Sequence, residues 1–387
     1  MDSSIERIVQ TAHPQTLVFG SGCASQLADM LSSRGCTGIL LVTAKAIRPM
    51  VESIAASVKQ AGISVLIDDS VNTEPTIDMF ERLLEDVTDH IDAVIGIGGG
   101  SVLDAAKLAA AVPGSGQQID ELFGTGKIRS RKKMLICLPT TAGTGSEVSP
   151  NAILLDEKAD LKKGVISPYL VPDAVYVDPE LTRSIPPEIT AATGMDALSH
   201  CVEAYANLHA HQFVDTYAIR GIELIGKNIE TAFSNGEDMD ARSALSLGSM
   251  YGGYCLGPVN TAAVHALSYP LGGKFHIAHG AANAILLPEV MQFNLTAAPK
   301  RYAEIAVALG CPAQSSDMET GLLGIERVRE ICRRCKIPDS LSQYGIAKSD
   351  VPAMAKSAMS VTRLLKNNVR ELTQEDAEKI YQHLLKY

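Results

Sequence analysis

The first half of the sequence alternates short apolar runs with amphipathic stretches, and this alternation constrains the fold more than any other feature. Four apolar runs have the length and composition of buried strands, namely GILLVT (38–43), SVLID (64–68), DAVIGIG (92–98) and MLICLP (134–139). Helical patterns separate them, at 48–61, at 77–87 and from Ser101 onwards. Alternating strands and helices predict a doubly wound parallel sheet with right-handed crossovers.

The second half of the sequence is different, because strand patterns fade after residue 187 and helical patterns continue almost to Tyr387. The length of 387 residues also exceeds the roughly 250–300 residues that one hydrophobic core usually holds. We therefore predict two domains, an α/β domain at residues 1–185 and an all-α domain at residues 186–387. The cleft between two such domains is the default position of an active site.

Charge and composition argue against several classes of protein. The formal net charge is −10, whereas a surface that binds nucleic acid or an anionic membrane is basic. We therefore expect no nucleic acid and no membrane, and a small-molecule substrate instead. The N-terminal sequence MDSSIERIVQ carries charges where a signal peptide has its apolar core, so we expect a cytoplasmic protein. The uncharged stretch 243–273 contains Gly, Ser, Pro, Asn and His, which favours buried helix and loop over a membrane span.

The eight cysteines are too sparse for a disulfide framework, and we expect most of them to be buried thiols. Cys332 and Cys335 form a single C-x-x-C pair. One such pair cannot complete a four-ligand zinc site, so we interpret it as incidental helical spacing.

Two turns rich in small residues follow the last two predicted strands. The first, Gly98 to Ser101, leads into the helix-forming sequence VLDAAKLAAA, so its backbone N–H groups could bind phosphate. Ser101 could be the N-cap of that helix or a phosphate donor, and a plain tight turn is the alternative. The second turn, TTAGTGSE (140–147), has the hydroxyls of a loop that contacts phosphate or nicotinamide. The alternative is a flexible loop in which Glu147 closes a capping box for a following helix.

A cluster of histidines indicates a metal site. Asp196 and His200 stand four residues apart in a helical pattern and therefore share a face, with about 5–6 Å between their Cβ atoms. His265 and His279 lie in or just after the uncharged stretch, where protonated imidazoles are costly unless they are paired or bind a metal. Three imidazoles and one carboxylate suit Fe(II), Zn(II), Co(II) or Mn(II) without choosing among these ions.

Four segments resemble motifs of the iron-containing, group III, alcohol dehydrogenases, namely GGGSVLDAAK (98–107), PTTAGTGSEVS (139–149), ATGMDALSHCVEAY (192–205) and HALSYPLGGKFHIAHGAANAILLP (265–288). The similarity covers nearly the whole chain. It implies a dinucleotide-binding α/β domain and a helical metal-binding domain in a dehydroquinate synthase-like architecture, with Fe(II) or Zn(II) in the cleft between them. It also implies hydride transfer between NAD or NADP and a small alcohol/aldehyde pair, in a homodimer.

The resemblance assigns roles to single residues. The metal ligands would be Asp196, His200, His265 and His279. The residues that bind the cofactor would be Gly99, Gly100 and Ser101 at the pyrophosphate, Thr140, Thr141 and Thr144 along the nicotinamide half, Lys162 at the ribose, and Leu181 near the adenosine.

Two positions depart from the family pattern. Ala44, followed by Lys45, stands where many members have an Asp that accepts hydrogen bonds from the adenosine ribose and repels a 2′-phosphate, so both NAD and NADP stay open. Tyr269 stands where many members carry a further histidine, proposed to relay protons. His276, three residues before His279, is the other candidate for that relay.

Two alternative functions are compatible with this fold. One is a zinc-dependent enzyme like glycerol dehydrogenase, although the spacing of the Asp-x-x-x-His pair and of His265 and His279 fits the iron group better. The other is a non-catalytic protein that bears a metal and kept the fold, against which the intact ligands and glycine turns argue.

Overall fold

The computed structural model describes residues 6–113, 115–157 and 161–385. The first five residues of the N-terminal segment MDSSIERIVQ lie outside this description. The chain forms two compact units, the first within residues 12–141 and 145–183, and the second within residues 6–11, 142–144 and 184–385. The predicted boundary at residue 185 places residues 6–11 and 142–144 in the first domain, whereas the structure clusters them with the helices of the second unit.

The first unit is built from nine strands in its described residues: β1 (Thr16–Phe19), β2 (Gly38–Val42), β3 (Ser64–Asp68), β4 (Ala93–Gly98), β5 (Gly124–Thr125), β6 (Met134–Pro139), β7 (Asn151–Asp156), β8 (Leu161–Ile166) and β9 (Ala174–Val177). Six of them form a parallel sheet in the order β1-β9-β6-β4-β2-β3. The other three form a small sheet in the order β5-β8-β7. The predicted parallel sheet is confirmed.

Four helices accompany the large sheet: α1 (Leu27–Ser33), α2 (Arg48–Gln60), α3 (Ile77–Glu85) and α4 (Gly100–Ala111). Every residue of β2 and β4 is buried, as expected for central strands of a sheet covered on both faces. Glycine at 96 and 98 lets α4 pack directly on β4. A Cβ at Gly96 would lie 2.9 Å from Ala106 Cβ, and one at Gly98 would lie 2.6 Å from Val102 Cβ.

The second unit is helical. Its described residues form α5 (Pro187–Tyr205), α6 (Gln212–Ser234), α7 (Met239–Leu256), α8 (Ala263–Phe275), α9 (His279–Asn294), α10 (Pro299–Ala308), α11 (Asp317–Arg334), α12 (Val351–Met359), α13 (Thr362–Leu365) and α14 (Gln374–His383). Glycines bring the long helices together, since a Cβ at Gly221 would lie 2.5 Å from Cys201 Sγ. The all-α second half is confirmed.

The uncharged stretch 243–273 forms most of α7 and α8 and is largely buried, as predicted. No helix within the described ranges is both long and apolar enough to cross a membrane. All eight cysteines are free thiols, and only Cys311 is not fully buried. Cys332 lies in α11 and Cys335 directly follows it, so the C-x-x-C pair follows the helical spacing that we expected.

Candidate metal centre and cofactor-binding turns

Three helices of the second unit carry the predicted metal ligands. Asp196 and His200 lie one turn apart in α5, His265 lies in the first turn of α8, and His279 is the first residue of α9. Gly280 lets α9 begin directly against α5, because a Cβ there would lie 2.2 Å from the carbonyl oxygen of Ala192. The local sequence thus allows the close approach that a shared site needs.

The ligand atoms converge on Asp196. Its Oδ1 lies 3.7 Å from His265 Nε2, 3.8 Å from His279 Nε2 and 4.0 Å from His200 Nε2. The ligand atoms of Asp196, His265 and His279 all lie within 4.8 Å of one another. Metal–ligand bonds of about 2.1 Å in a tetrahedron would separate the ligand atoms by about 3.4 Å, so these side chains fit one ion. The ring of His200 stacks on that of His265, with 4.8 Å between centroids.

The protonation of these residues suits a metal site. Asp196, His200 and His265 are buried, and 30% of the His279 side chain is exposed. Burial raises the pKa of Asp196, but the three neighbouring imidazoles and the Asn283 amide outweigh it and hold that pKa below its ordinary value. Burial lowers the pKa of His200. An anionic carboxylate and a neutral imidazole are the forms that bind metal.

Glu203 orients His265 and is not among the residues predicted from the sequence. Its Oε2 accepts from His265 Nδ1 at 2.5 Å, and its Oε1 accepts from the backbone N–H of Val264 at 2.6 Å. The bond at Nδ1 leaves His265 Nε2 as the metal-binding atom, which is the usual role of a carboxylate behind a metal-binding histidine. A signal existed, because Glu203 lies seven residues after Asp196 on the same buried face of α5.

Asn283 is a second residue of the site that was not predicted from the sequence. Its Nδ2 lies 2.7 Å from Asp196 Oδ1, 3.1 Å from His265 Nε2 and 3.2 Å from His279 Nε2. The two hydrogens of this amide cannot satisfy three acceptors. The ligand atoms therefore keep at least one lone pair that could bind a cation. Asn283 lies one turn after His279 in α9, which was the available signal.

The two candidate relay residues lie in different settings. The Tyr269 ring centroid lies 6.4 Å from that of His279, so its side chain lies beside the metal ligands. His276 is exposed and ends α8 in the left-handed conformation, with φ of 54°. Histidine adopts this conformation more readily than most residues other than glycine.

In the first unit, the glycine turn joins β4 to α4. Gly99 is the N-cap of α4, and Gly100 and Ser101 begin the helix. The interpretation of Ser101 as N-cap is therefore wrong, because the helix starts one residue earlier than its sequence pattern indicated. A Cβ at Gly99 would meet only the Thr141 side chain, with Oγ1 at 3.4 Å, so the two predicted turns lie side by side.

The second turn follows β6. The backbone N–H of Thr140 donates to the carbonyl of Gly98 at 3.0 Å, which continues the pairing of β4 with β6. Thr144 falls in the segment that clusters with the helical unit. The capping-box interpretation of Glu147 is wrong, because strand β7 begins at Asn151 and no helix follows.

The remaining predicted cofactor residues are spread over the first unit. Ala44 is the second residue after the end of β2 and forms an isolated β-bridge with Ser70. Lys162 lies in β8 and forms an ion pair with Glu74. Leu181 is buried in the turn after β9.

Comparisons with known proteins match the whole of this architecture. A sequence model described as "Iron-containing alcohol dehydrogenase" matches residues 14–179, and one described as "Fe-containing alcohol dehydrogenase family, C-terminal" matches residues 190–385.

Individual relatives agree with the family models. The chain is 37% identical to long-chain-alcohol dehydrogenase 1 of Geobacillus thermodenitrificans, over 98% of this chain and 96% of that protein. It is 30% identical to the NAD-dependent methanol dehydrogenase of Bacillus methanolicus, over 96% of this chain and 98% of that protein. The crystal structure of a 1,3-propanediol oxidoreductase superposes with a TM-score of 0.95 at 29% identity, covering 98% of this chain and all of that one. The chain therefore belongs to the iron-containing alcohol dehydrogenase family and is a metal-dependent oxidoreductase of alcohols and aldehydes.

Proposed function

We propose that this chain exchanges a hydride between NAD(P) and a short alcohol/aldehyde pair, with Fe(II) as its metal and Zn(II) as the substitute. One observation carries this proposal: the ligand atoms of Asp196, His265 and His279 lie within 4.8 Å of one another in a buried part of the helical unit. The names of the relatives support an alcohol as the substrate, and the alcohols that they name range in length from methanol to long-chain alcohols.

Four side chains would hold the metal: Asp196, His200, His265 and His279. When bound, a divalent ion supplies Lewis acidity toward the oxygen of the alcohol or aldehyde. Glu203 keeps His265 in the tautomer with a free Nε2, and Asn283 orients the Asp196 carboxylate through its 2.7 Å hydrogen bond.

The cofactor would bind to the first unit. Gly99, Gly100 and Ser101 would hold the pyrophosphate with the N–H groups at the start of α4, where the helix dipole favours an anion. Thr140, Thr141 and Thr144 would line the nicotinamide half, Lys162 would reach the ribose, and Leu181 would lie near the adenosine. The nicotinamide supplies or accepts the hydride.

Ala44 concerns the choice between NAD and NADP. A methyl group there offers no carboxylate to repel a 2′-phosphate, so we propose that NADP is accepted together with NAD. Ala44→Asp should lower the ratio of NADPH to NADH activity by about tenfold or more, through like-charge repulsion. Ala56→Asp, at an exposed position of α2, is the matched control. An unchanged ratio in Ala44→Asp would remove this residue from the cofactor site.

A proton must reach or leave the substrate oxygen during the reaction. We assign this step to the hydroxyl of Tyr269 or the imidazole of His276, acting through water. Tyr269→Phe and His276→Ala should each be compared with His90→Ala, an exposed histidine of the first unit. If His276→Ala leaves both turnover and its pH profile unchanged, that residue is not the relay.

The deciding experiment is a panel of short alcohols and aldehydes, assayed with both nicotinamide cofactors on protein loaded separately with Fe(II) and with Zn(II). We expect turnover of at least one alcohol/aldehyde pair. A metal-loaded protein that neither binds nor oxidises a reduced nicotinamide would instead support the non-catalytic alternative. On the basis of the resemblance, we also propose that the protein is cytoplasmic and forms a homodimer. Size-exclusion chromatography with light scattering tests the dimer.

A further inference from the structure

Lys107 is a lysine with no solvent exposure, in the middle of α4. Burying an ammonium is costly unless its hydrogens are bonded, and Lys is rarely found fully buried. The metal centre and the glycine turn do not use this side chain. Its position therefore calls for a function of its own.

The ammonium of Lys107 is surrounded by the backbone of residues 146–151. It donates to the carbonyl oxygens of Ser146 and Ser149, both at 2.9 Å, and to that of Asn151. The hydroxyl of Ser146 lies 3.1 Å from the same nitrogen. Three carbonyl oxygens match the three hydrogens of an ammonium, so Lys107 binds the loop from α4 as a cation would.

Asp104, one turn earlier in α4, completes this arrangement. Its carboxylate accepts from the Ser146 hydroxyl at 2.5 Å and from the backbone N–H of Ile153 at 2.9 Å, and lies 4.0 Å from Lys107 Nζ. We call Lys107, Asp104 and residues 146–151 the Lys107 cluster. Asp104 and Lys107 belong to the GGGSVLDAAK segment, whereas the loop belongs to PTTAGTGSEVS.

The loop that the Lys107 cluster holds has little stiffness of its own. It contains Gly143 and Gly145, and Gly145 has φ of 60°, a conformation that favours glycine. At the start of the loop, the backbone N–H of Thr140 donates to the carbonyl oxygen of Gly98 at 3.0 Å. From Ser146 onwards, the loop accepts hydrogen bonds from Lys107. Both ends of the segment 141–145 are therefore held by the same strand, turn and helix, residues 93–111.

We propose that Lys107 is a positioning residue for the nicotinamide cofactor: its ammonium holds residues 146–151 and thereby keeps Thr140 and Thr141 beside Gly99 in the shape that the cofactor binds. This inference rests on the proposed function, because it needs the cofactor to lie on these turns. Without Lys107, the loop samples other shapes, and the apparent affinity falls in proportion to the fraction of time spent in the competent one.

The test compares Lys107→Met, which keeps an unbranched apolar stem of four atoms and removes the ammonium, with Leu108→Ala in the same helix. Leu108 is fully buried and its apolar side chain has no hydrogen-bonding group, so its truncation destabilises the unit without releasing residues 146–151. The dissociation constants of NADH and NADPH are measured by fluorescence. We expect a rise of about tenfold to a hundredfold in Lys107→Met, as for loss of a charged hydrogen bond, and little change in Leu108→Ala.

Two further measurements keep the outcomes distinct. Hydrogen exchange of the cofactor-free protein should accelerate in residues 140–151 of Lys107→Met and not in Leu108→Ala. If Lys107→Met does not fold, Asp104→Asn provides the same readouts with a smaller perturbation. Wild-type protein that binds no nicotinamide cofactor would refute the proposed function, whereas wild-type affinity and unchanged exchange in the Lys107 and Asp104 variants would refute the present inference.

Discussion

The metal centre and the Lys107 cluster are both places where several lone pairs converge, but they differ in the group that meets these lone pairs. In the Lys107 cluster, three carbonyl oxygens meet an ammonium with three hydrogens. In the metal centre, the ligand atoms of Asp196, His265 and His279 surround one amide nitrogen, Asn283 Nδ2, which carries only two hydrogens. Convergence of acceptors alone therefore does not indicate a metal site, because a lysine of the chain can serve as the cation.

The ligand types also differ between the two places. Backbone carbonyls of one loop surround Lys107, whereas imidazoles and a carboxylate from three helices form the metal centre. Imidazole with carboxylate suits Fe, Zn and related ions. If this comparison is correct, substitutions in the metal centre change metal content, whereas substitutions in the Lys107 cluster change loop order and cofactor affinity.

The largest expected effect is that of Asp196→Ala. Loss of the carboxylate on which the ligand atoms converge should abolish metal binding and lower turnover by about a thousandfold or more, since a metal contributes several kcal/mol to the transition state. Metal content is measured by elemental analysis and turnover by the absorbance of reduced nicotinamide. Asp89→Ala, at an exposed position, should match wild type. Full metal content in Asp196→Ala would place the metal elsewhere.

A smaller effect is expected for Glu203→Gln. The amide can still accept a hydrogen bond but no longer carries the charge that orients and polarises His265, so metal affinity should fall by about 10–100-fold. Competition with a chromogenic chelator measures this affinity for Zn(II). Glu188→Gln, exposed at the start of the same helix, is the control. Equal affinities in both variants would show that Glu203 only packs α5 against α8.

Glu147, which lies in the loop of the Lys107 cluster, should shape the pH dependence of stability. Burial raises its pKa from 4.5 to about 7, and its backbone hydrogen bond and Lys107 oppose this only in part. Between these values the folded protein keeps a proton that the unfolded chain has lost, so its contribution makes stability fall as pH rises through this window. Glu147→Gln should flatten that slope and add about 1–2 kcal/mol at pH near 8. Urea unfolding at several pH values measures it, and a slope equal to wild type would contradict the burial argument.

The smallest effect is expected for Cys332→Ala. The thiol is buried and donates to the carbonyl of Ala284 at 3.6 Å, so its removal should cost about 1 kcal/mol of stability. Metal content should stay at the wild-type level, in contrast to Asp196→Ala. A loss of metal in Cys332→Ala would show that the C-x-x-C pair is more than helical spacing.

Much of the fold could be predicted from the sequence, because the decisive signals are local. The strand at 64–68 was predicted to the residue, and α2 and α3 were predicted to within two residues at their ends. Errors arose where two local patterns compete. Ser101 has N-cap chemistry, but the helix already begins at Gly100 because β4 ends at Gly98 and only a short turn joins them.

The candidate site was predictable only in part. The helical spacing of Asp196 and His200 was readable, and the structure brings Asp196 together with His265 and His279. The partners of Glu203 and Lys107 were not readable, since His265 lies 62 positions after Glu203 and Ser146 lies 39 positions after Lys107.

The sequence by itself determined the order of strands and helices, the small-residue turns and the side chains with metal-ligand chemistry, because propensity and periodicity act over a few neighbouring residues. Only the tertiary structure decided which acceptor atoms surround the Lys107 ammonium and which surround the Asn283 amide. That choice depends on packing between segments distant in sequence, where glycines such as Gly280 and Gly98 set how closely the helices approach their neighbours.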